Sequence, residues 1–547
     1  MSSFLGFQIV SRDNPLANVK SLRVWMQGVP RNDAVAAMEA IVALLQTEAP
    51  RADGSVARLE AIMELDRLAV PLAQHLRSQY RLITMSDDVR QRLFRACDGM
   101  AQAFSQAYGE YAKAIEASDG SGRMRTLAHG VYSRMFHYLG VLTRLGLFRY
   151  EQWIPGRWRG LHQSYIAART RSLALEPYAL SPRTRPADIA TAEQEYIQIL
   201  LLHRLNAGNL TTPQIDSACE WLAEWAPALR LAPAPEDAIG LTGGYWLDIA
   251  GGGGLSDRRQ QRAEGEWLFL DMEPFRAQLK ALIGRLSTQS PPARNGAIES
   301  DDALTLAKRL DRLWQPQAPA MTRRGERRAA HNAVTVAAGW SEIIIALVAR
   351  HARSSLAPAG YHYDDYGRLR NNSDSKEQSL IGKRADRFAW HIADSSESGY
   401  CIRSSSRQAT RQWPGALLAL QIDDVPGWQL AVVRRLKRIG ADLTEVGVEI
   451  ISRNIAAVTP REIEMRDSGY SVDGVDVEVS GKGFQALYLP PQIHGRVRAP
   501  ASLVIPPAEF VLGRRLSVTV ENRPHAILLA SPLERTREWV WAPLRSG

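Results

Sequence analysis

The sequence is poor in cysteine: Cys97, Cys219 and Cys401 stand far apart, with no C-x-x-C pair and no Cys/His ligand spacing. That excludes a disulfide framework, argues against structural zinc, and fits a reducing compartment. Long apolar runs are missing as well. No window supplies the roughly 18 uninterrupted apolar residues of a membrane span, and "MSSFLGFQIVSRDN" lacks the basic start and apolar core of a signal peptide. A cytoplasmic protein with no membrane span is expected. No Ser/His/Asp, H-E-x-x-H or paired-carboxylate constellation stands in a usable context, so no catalytic residue, no metal and no cofactor is expected. His362 beside Asp364 and Asp365 finds no second His or Cys at ligand spacing. The run Gly251 to Gly254 is followed by Ser256 and Asp257 and by no lysine, so it fails the phosphate-loop pattern and reads as a flexible turn.

What is present is an ordinary globular composition, 45% apolar and 23% charged. Its 547 residues exceed what one core usually serves, so several domains are expected. The 67 Lys plus Arg outweigh 58 acids for a formal charge of +9. Arginine far outnumbers lysine, which suits bidentate recognition of phosphate or guanine, although codon bias produces the same excess. Basicity therefore leaves nucleic-acid binding as an alternative rather than the expected partnership.

The period of the apolar pattern changes once along the chain. Up to about residue 230 it is helical: "DAVAAMEAIVALLQ" sets Val35, Met38, Ile41, Val42 and Leu45 on one face, with Asp33 as N-cap. "ARLEAIMELDRLAVPLAQHL" continues in kind, and Pro71 predicts a kink or a new first turn. Further amphipathic segments follow near 87–117, 125–147, 187–206 and 213–229. In "FRYEQWIPGRWRGLHQSY", Trp153, Trp158 and Tyr165 interleave with Arg149, Arg157 and Arg159. Such spacing suits stacking on single-stranded nucleic acid but equally core rings with arginine stems running out to solvent. "EWLFLDMEPFRAQLKALIGRLS" reads as a strand passing into a helix, and a Ser/Pro/Asn/Gly-rich linker follows.

The second half reads as β. Arg323, Arg324, Arg327 and Arg328 fall within six positions, form R-x-x-x-R in two overlapping registers, and lead into the strand-like "AVTVAAG". Farther on, "HIADSSESGYCI" holds Asp394, Ser396 and Gly399 as D-x-S-x-x-G. "PGALLALQIDDVPGWQLAVVRRLKR" reads as two strands joined at Pro426 and Gly427, and "EVGVEIIS" as another with Gly447, Val448 and Ile450.

Over about 320–455 this pattern resembles the PilZ family of cyclic di-GMP receptors, in which R-x-x-x-R precedes the first strand of a small β-barrel and [D/N]-x-S-x-x-G follows. The resemblance implies cyclic di-GMP as ligand. It also implies a binding set of Arg324 and Arg328, or Arg323 and Arg327, with Asp394, Ser396 and Gly399. The chemistry agrees: arginine pairs with phosphate or with guanine O6/N7, a carboxylate accepts from the guanine N1–H and N2–H₂ edge, and glycine permits a turn or a close approach. One departure is spacing. Family members keep the two motifs much closer than Arg328 and Asp394 stand here, which predicts an insertion at about 350–387. Within it Arg368 offers another register, whose partner position holds Asn372; the 323–328 cluster is preferred because a strand follows it at once.

The expected architecture is a multidomain α + β chain. An α-helical region over 1–285 and a linker with a short helix over 286–320 precede a PilZ-like antiparallel barrel over 321–455, and 456–547 forms a β-rich extension or second small barrel. The expected function is a cyclic di-GMP-binding effector, not an enzyme, with an unidentified protein partner engaged through the helical region. The alternatives are a nucleic-acid-binding protein and a PilZ-like scaffold that has lost its ligand.

Overall fold

In a computed structural model of the chain the described residues are 14–30, 32–48, 55–80, 87–117, 122–151, 156–179, 189–233, 243–258, 266–288, 300–316, 327–354, 361–363, 369–371, 390–404, 413–423, 425, 427–440, 443–465, 477–479, 483–494, 497–520 and 523–546. They fall into two compact units, Met1–Met321 and Thr322–Gly547.

The first unit is built from helices α1 (Val19–Gln27), α2 (Ala34–Glu48), α3 (Val56–Tyr80), α4 (Asp87–Ala117), α5 (Arg123–Phe148), α6 (Arg157–Thr170), α7 (Ala192–Arg204), α8 (Thr212–Trp225), α9 (Glu273–Thr288) and α10 (Ser300–Leu313). The Asp33 carboxylate caps α2, accepting from the backbone N–H of Val35 and of Ala36 at 3.0 Å each. Met38, Ile41 and Leu45 of its apolar face are buried. Pro71 starts no new helix. It lies inside α3, where buried Leu65, Ala69 and Leu76 on either side of it tie the helix into the core; that packing outweighs the local cost of about 3 kcal/mol for an interior proline. In α6, Trp158 and Tyr165 are buried while Arg157 and Arg159 are exposed, so those rings are core.

Strands interrupt the helical unit. β1 (Tyr178–Ala179) pairs with β2 (Ile189–Ala190), and β3 (Leu231–Pro233), β4 (Gly244–Asp248) and β5 (Trp267–Asp271) form an antiparallel sheet in the order β3-β5-β4. The glycine run connects β4 back toward β5 as a held turn rather than a loose one: Trp246 and Ser256 exchange backbone hydrogen bonds at 2.8 Å, and the Gly253 carbonyl accepts from His162 Nε2 at 2.9 Å. The helix expected within a linker, α10, buries Leu306, Leu310 and Trp314 in the same core, Trp314 meeting Phe275 of α9 edge-on at 5.1 Å.

The second unit contains β6 (Arg328–Ala329), β7 (Ala333–Ala338), α11 (Trp340–Ser354), β8 (Tyr361–Tyr363), β9 (Leu369–Asn371), β10 (Trp390–Ser396), β11 (Gly399–Ser404), β12 (Leu417–Ile422), β13 (Gln429–Arg438) and β14 (Thr444–Ser452). Six of these strands close an antiparallel barrel in the order β11-β14-β13-β12-β7-β10, the β10–β11 pairing completing the ring. β6 adds to the edge of β10. The chain leaves the barrel after β7 through α11 and the β8–β9 hairpin and returns at β10, which accounts for the wide separation of the two motifs.

The near-continuous apolar runs of β12 and β13 follow from burial on both faces. Leu417, Ala419, Leu430 and Val432 pack against Ile343, Ile344 and Leu347 of α11 and against Leu487, Leu489, Val504 and Trp539 of the C-terminal sheet. Alternation turns the equally buried Leu418, Leu420, Ala431 and Val433 to the barrel interior. Gly427, at φ +102°, supplies the left-handed turn residue between the two strands.

The C-terminal sheet runs Ala456–Val458, Ala486–Leu489, Ser502–Ile505, Val540–Ser546, Arg523–Leu529, Arg515–Val520, Arg461–Met465, Val477–Val479, with Glu534–Arg535 also on Val540–Ser546. It is an extension that shares the core just described. Arg434 of β13 pairs its two terminal guanidinium nitrogens with Glu534 at 2.5 and 2.7 Å, and Trp539 Nε1 donates to the Gly415 carbonyl at 2.9 Å. Among the described residues no helix is long and apolar enough to cross a membrane.

Candidate ligand site on the barrel wall

A β-bulge builds the site. On β10, Trp390 and Ile392 are buried, and simple alternation would turn Asp394 inward with them. The β10–β11 register shifts between Ile392, opposite Ile402, and Asp394, opposite Cys401. Ala393 is the extra residue, and it re-aims the rest of the strand, as bulges do. Asp394 and Ser396 thereby share a face with Cys401, Arg403 and Gly399, opposite to the face of fully buried Ile402.

The arginine segment is laid against that strand. Arg328 stands opposite Ser395 and Ala329 opposite Asp394 in the β6–β10 pairing, and the Ala330 N–H donates to the Ala393 carbonyl at 3.2 Å. Arg327, just before β6, donates from one guanidinium nitrogen to both Asp394 carboxylate oxygens, at 2.8 and 3.0 Å. The pair is open to solvent, with the side chains 48% and 30% exposed.

Ser396 donates its hydroxyl hydrogen to the Gly399 carbonyl at 3.1 Å, closing the two-residue turn Glu397–Ser398. Gly399 is required by a neighbouring strand: a Cβ there would lie 2.0 Å from the Val448 carbonyl oxygen of β14. The same face carries Arg403, which grips Glu445 of β14 at 2.8 Å. Buried Cys401 has its thiol pushed up chiefly by burial, with Asp394 and Glu445 adding to the effect and Arg327 and Arg403 opposing it.

Of the expected site residues, Arg327, Asp394, Ser396 and Gly399 are thus brought together on one face of the barrel wall, while Arg328, opposite Ser395, takes the other face. Arg323 and Arg324 lie outside the described residues, as do Asp364, Asp365, Arg368 and Asn372. One further arginine belongs to this neighbourhood. Arg453, just past β14, donates to the Glu397 carbonyl at 3.1 Å; no motif marks it, because only the β11–β14 pairing returns it to the turn.

A closed antiparallel barrel carrying a D-x-S-x-x-G hairpin, with an arginine segment strand-paired to it, is the geometry on which comparison with known families bears. Residues 346–456 match the family model described as the middle PilZ domain of the cyclic-di-GMP receptor FimW. The chain is a PilZ-domain protein. Residues 20–236 match the model of the N-terminal domain of the same receptor, so the likeness extends into the helical unit. The PilZ match takes in β10 to β14 and Arg368, and begins after β7, leaving Arg323–Arg328 outside it. No curated protein and no solved structure matches the chain.

Proposed function

We propose that this PilZ-domain protein is a cyclic di-GMP effector that acts in the cytoplasm by binding rather than catalysis, and that its ligand site is the β6–β10–β11 wall. The observation that carries this reading is the Arg327–Asp394 pair: the guanidinium and the carboxylate that the ligand's chemistry calls for already meet on one face, beside the Ser396 hydroxyl.

The ligand offers guanine N1–H and N2–H₂ donors and phosphodiester anions. The ionised Asp394 carboxylate, which accepts and cannot donate, suits the guanine edge; released from Asp394, Arg327 suits a phosphate or guanine O6/N7. An exposed ion pair contributes about 0–1 kcal/mol, so the exchange of partners costs little. Adjacent residues of a strand point to opposite faces, so Arg327 and Arg328 do not serve the same surface. Contact of Arg327 with Asp394 favours the Arg323/Arg327 register over Arg324/Arg328.

The segment that carries these arginines joins α10 of the helical unit to β6 of the barrel. A ligand held at Arg327 would act where the chain enters the barrel, and a helical surface is the element through which a protein partner would read its presence. The ligand shifts any such equilibrium only as far as it binds one arrangement better than the other. Calorimetry with cyclic di-GMP tests the reading: saturable binding by the wild type and loss of binding in Asp394→Ala are expected, and indifference to Asp394 would overturn it.

A further inference from the structure

The turn of the D-x-S-x-x-G hairpin is held by β14 and by the arginine just past it. Its two residues use their carbonyls as acceptors: Ser398 O takes the Ile450 N–H of β14 at 2.9 Å, and Glu397 O takes the Arg453 guanidinium at 3.1 Å. Arg453 is itself fixed at its backbone, where its N–H donates to Gln492 Oε1 at 3.1 Å. Gln492 belongs to the C-terminal extension, at the start of the Gln492–His494 strand, which pairs with Val497–Ala499 as a two-stranded ladder separate from the large C-terminal sheet. Its amide nitrogen donates to the Ser452 hydroxyl, which also accepts from the Asn454 N–H at 3.2 Å. One glutamine therefore engages both the last residue of β14 and the arginine next to it.

We propose that Gln492 and Arg453 form a clamp by which the C-terminal extension positions the ligand hairpin, making the extension part of the ligand site's support. The inference rests on the ligand reading above. Arg453 is a positioning residue: it acts through Glu397 O and so fixes the turn immediately after Ser396. The contact is a hydrogen bond to a single carbonyl, which a lysine ammonium on a long stem can also make. Without the clamp the turn samples other conformations, and the ligand must order it on binding. By linkage, ligand held on the hairpin stabilises the Gln492 contacts by the same factor.

Four full-length chains test this: wild type, Arg453→Ala, Arg453→Lys and Gln492→Ala. Each is titrated with cyclic di-GMP and followed by backbone hydrogen exchange without ligand. Loss of one hydrogen bond to a charged group is expected to weaken ligand binding by about ten-fold in Arg453→Ala. Arg453→Lys should restore most of the affinity, and Gln492→Ala should fall between. The Ile450 amide, which donates to Ser398 O, should exchange faster in Arg453→Ala and Gln492→Ala than in wild type.

Unchanged affinity and unchanged exchange at Ile450 in both alanine variants would overturn the clamp while leaving the ligand reading intact. Failure of lysine to rescue would overturn the positioning role, because only a planar guanidinium would then suffice. If the wild type binds no cyclic di-GMP, the ligand reading fails, and the exchange measurement still decides whether the clamp exists.

Discussion

Replacing Arg327 with alanine separates the two parts this guanidinium plays. In the ligand-free protein it pairs with Asp394 across solvent-exposed positions, and exposed pairs contribute about 0–1 kcal/mol. Arg327→Ala should therefore lower the unfolding free energy of the second unit by less than about 1 kcal/mol. In the proposed complex the same group would make charge-assisted bonds to phosphate or guanine, about 1.5–3 kcal/mol. Subtracting the small cost of leaving Asp394 gives a net loss of about 0.5–3 kcal/mol, or roughly two- to 150-fold in Kd. Calorimetric titration with cyclic di-GMP at fixed ionic strength, alongside denaturant unfolding, reads both quantities. Binding as tight as wild type, or tighter, would refute the reasoning, because Arg327 would then merely block the carboxylate. A stability loss well beyond the exposed-pair range would show instead that the pair is structural.

Other perturbations bear on the frame around the site. Gly399→Ala drives a Cβ against the Val448 carbonyl and should cost about 1–3 kcal/mol as β11 and β14 separate, seen as a lower midpoint in denaturant. Leu430→Ala, in the core shared by barrel, α11 and C-terminal sheet, should cost about 2–5 kcal/mol and leave the second unit melting in one step; separate transitions for barrel and extension would contradict a shared core. His162 gives a pH dependence. The Gly253 carbonyl can only accept, so Nε2 carries the proton and Nδ1 accepts from the Tyr196 hydroxyl at 2.7 Å. Burial lowers its pKa below the ordinary 6.5, so the unfolded chain takes up a proton first as pH falls. Stability should be full above that ordinary value, decline as pH drops below it, and level off once the folded histidine protonates. His203, also lowered by burial, acts in the same sense, so His162→Gln should flatten the decline in thermal midpoint without abolishing it.

Much of the fold was legible where one physical signal dominated. The 3.6-residue period marked α2, α4, α5, α7 and α8, and the Asp33 cap was readable because a short acid ahead of an apolar face has few other uses. α6 was hidden by its mixture of arginine and aromatic residues, whose burial is decided by α7 and the glycine turn rather than by local pattern. The docking of α10 was equally obscure, since its core contacts lie on α8 and α9. Among the site residues, Asp394 and Ser396 were readable as a motif, and an arginine cluster ahead of a strand pointed to the same place. Two things were not. The bulge at Ala393 is one residue of slippage within an unremarkable alternation, yet it turns Asp394 outward. Arg453 sits in no motif, and only the strand pairings bring it to Glu397. Gly399 was expected to serve a turn or a ligand, whereas the demand on it comes from the β14 backbone.

Asp394, presented outward by the bulge and facing Arg327, is proposed to read a guanine edge. Calorimetric titration of purified full-length wild type and Asp394→Ala with cyclic di-GMP tests it most directly. A saturable isotherm is expected for the wild type and no measurable binding for the variant, whose unfolding midpoint stays near that of the wild type. A wild type that gives no saturable heat, or a variant that binds as the wild type does, would contradict it.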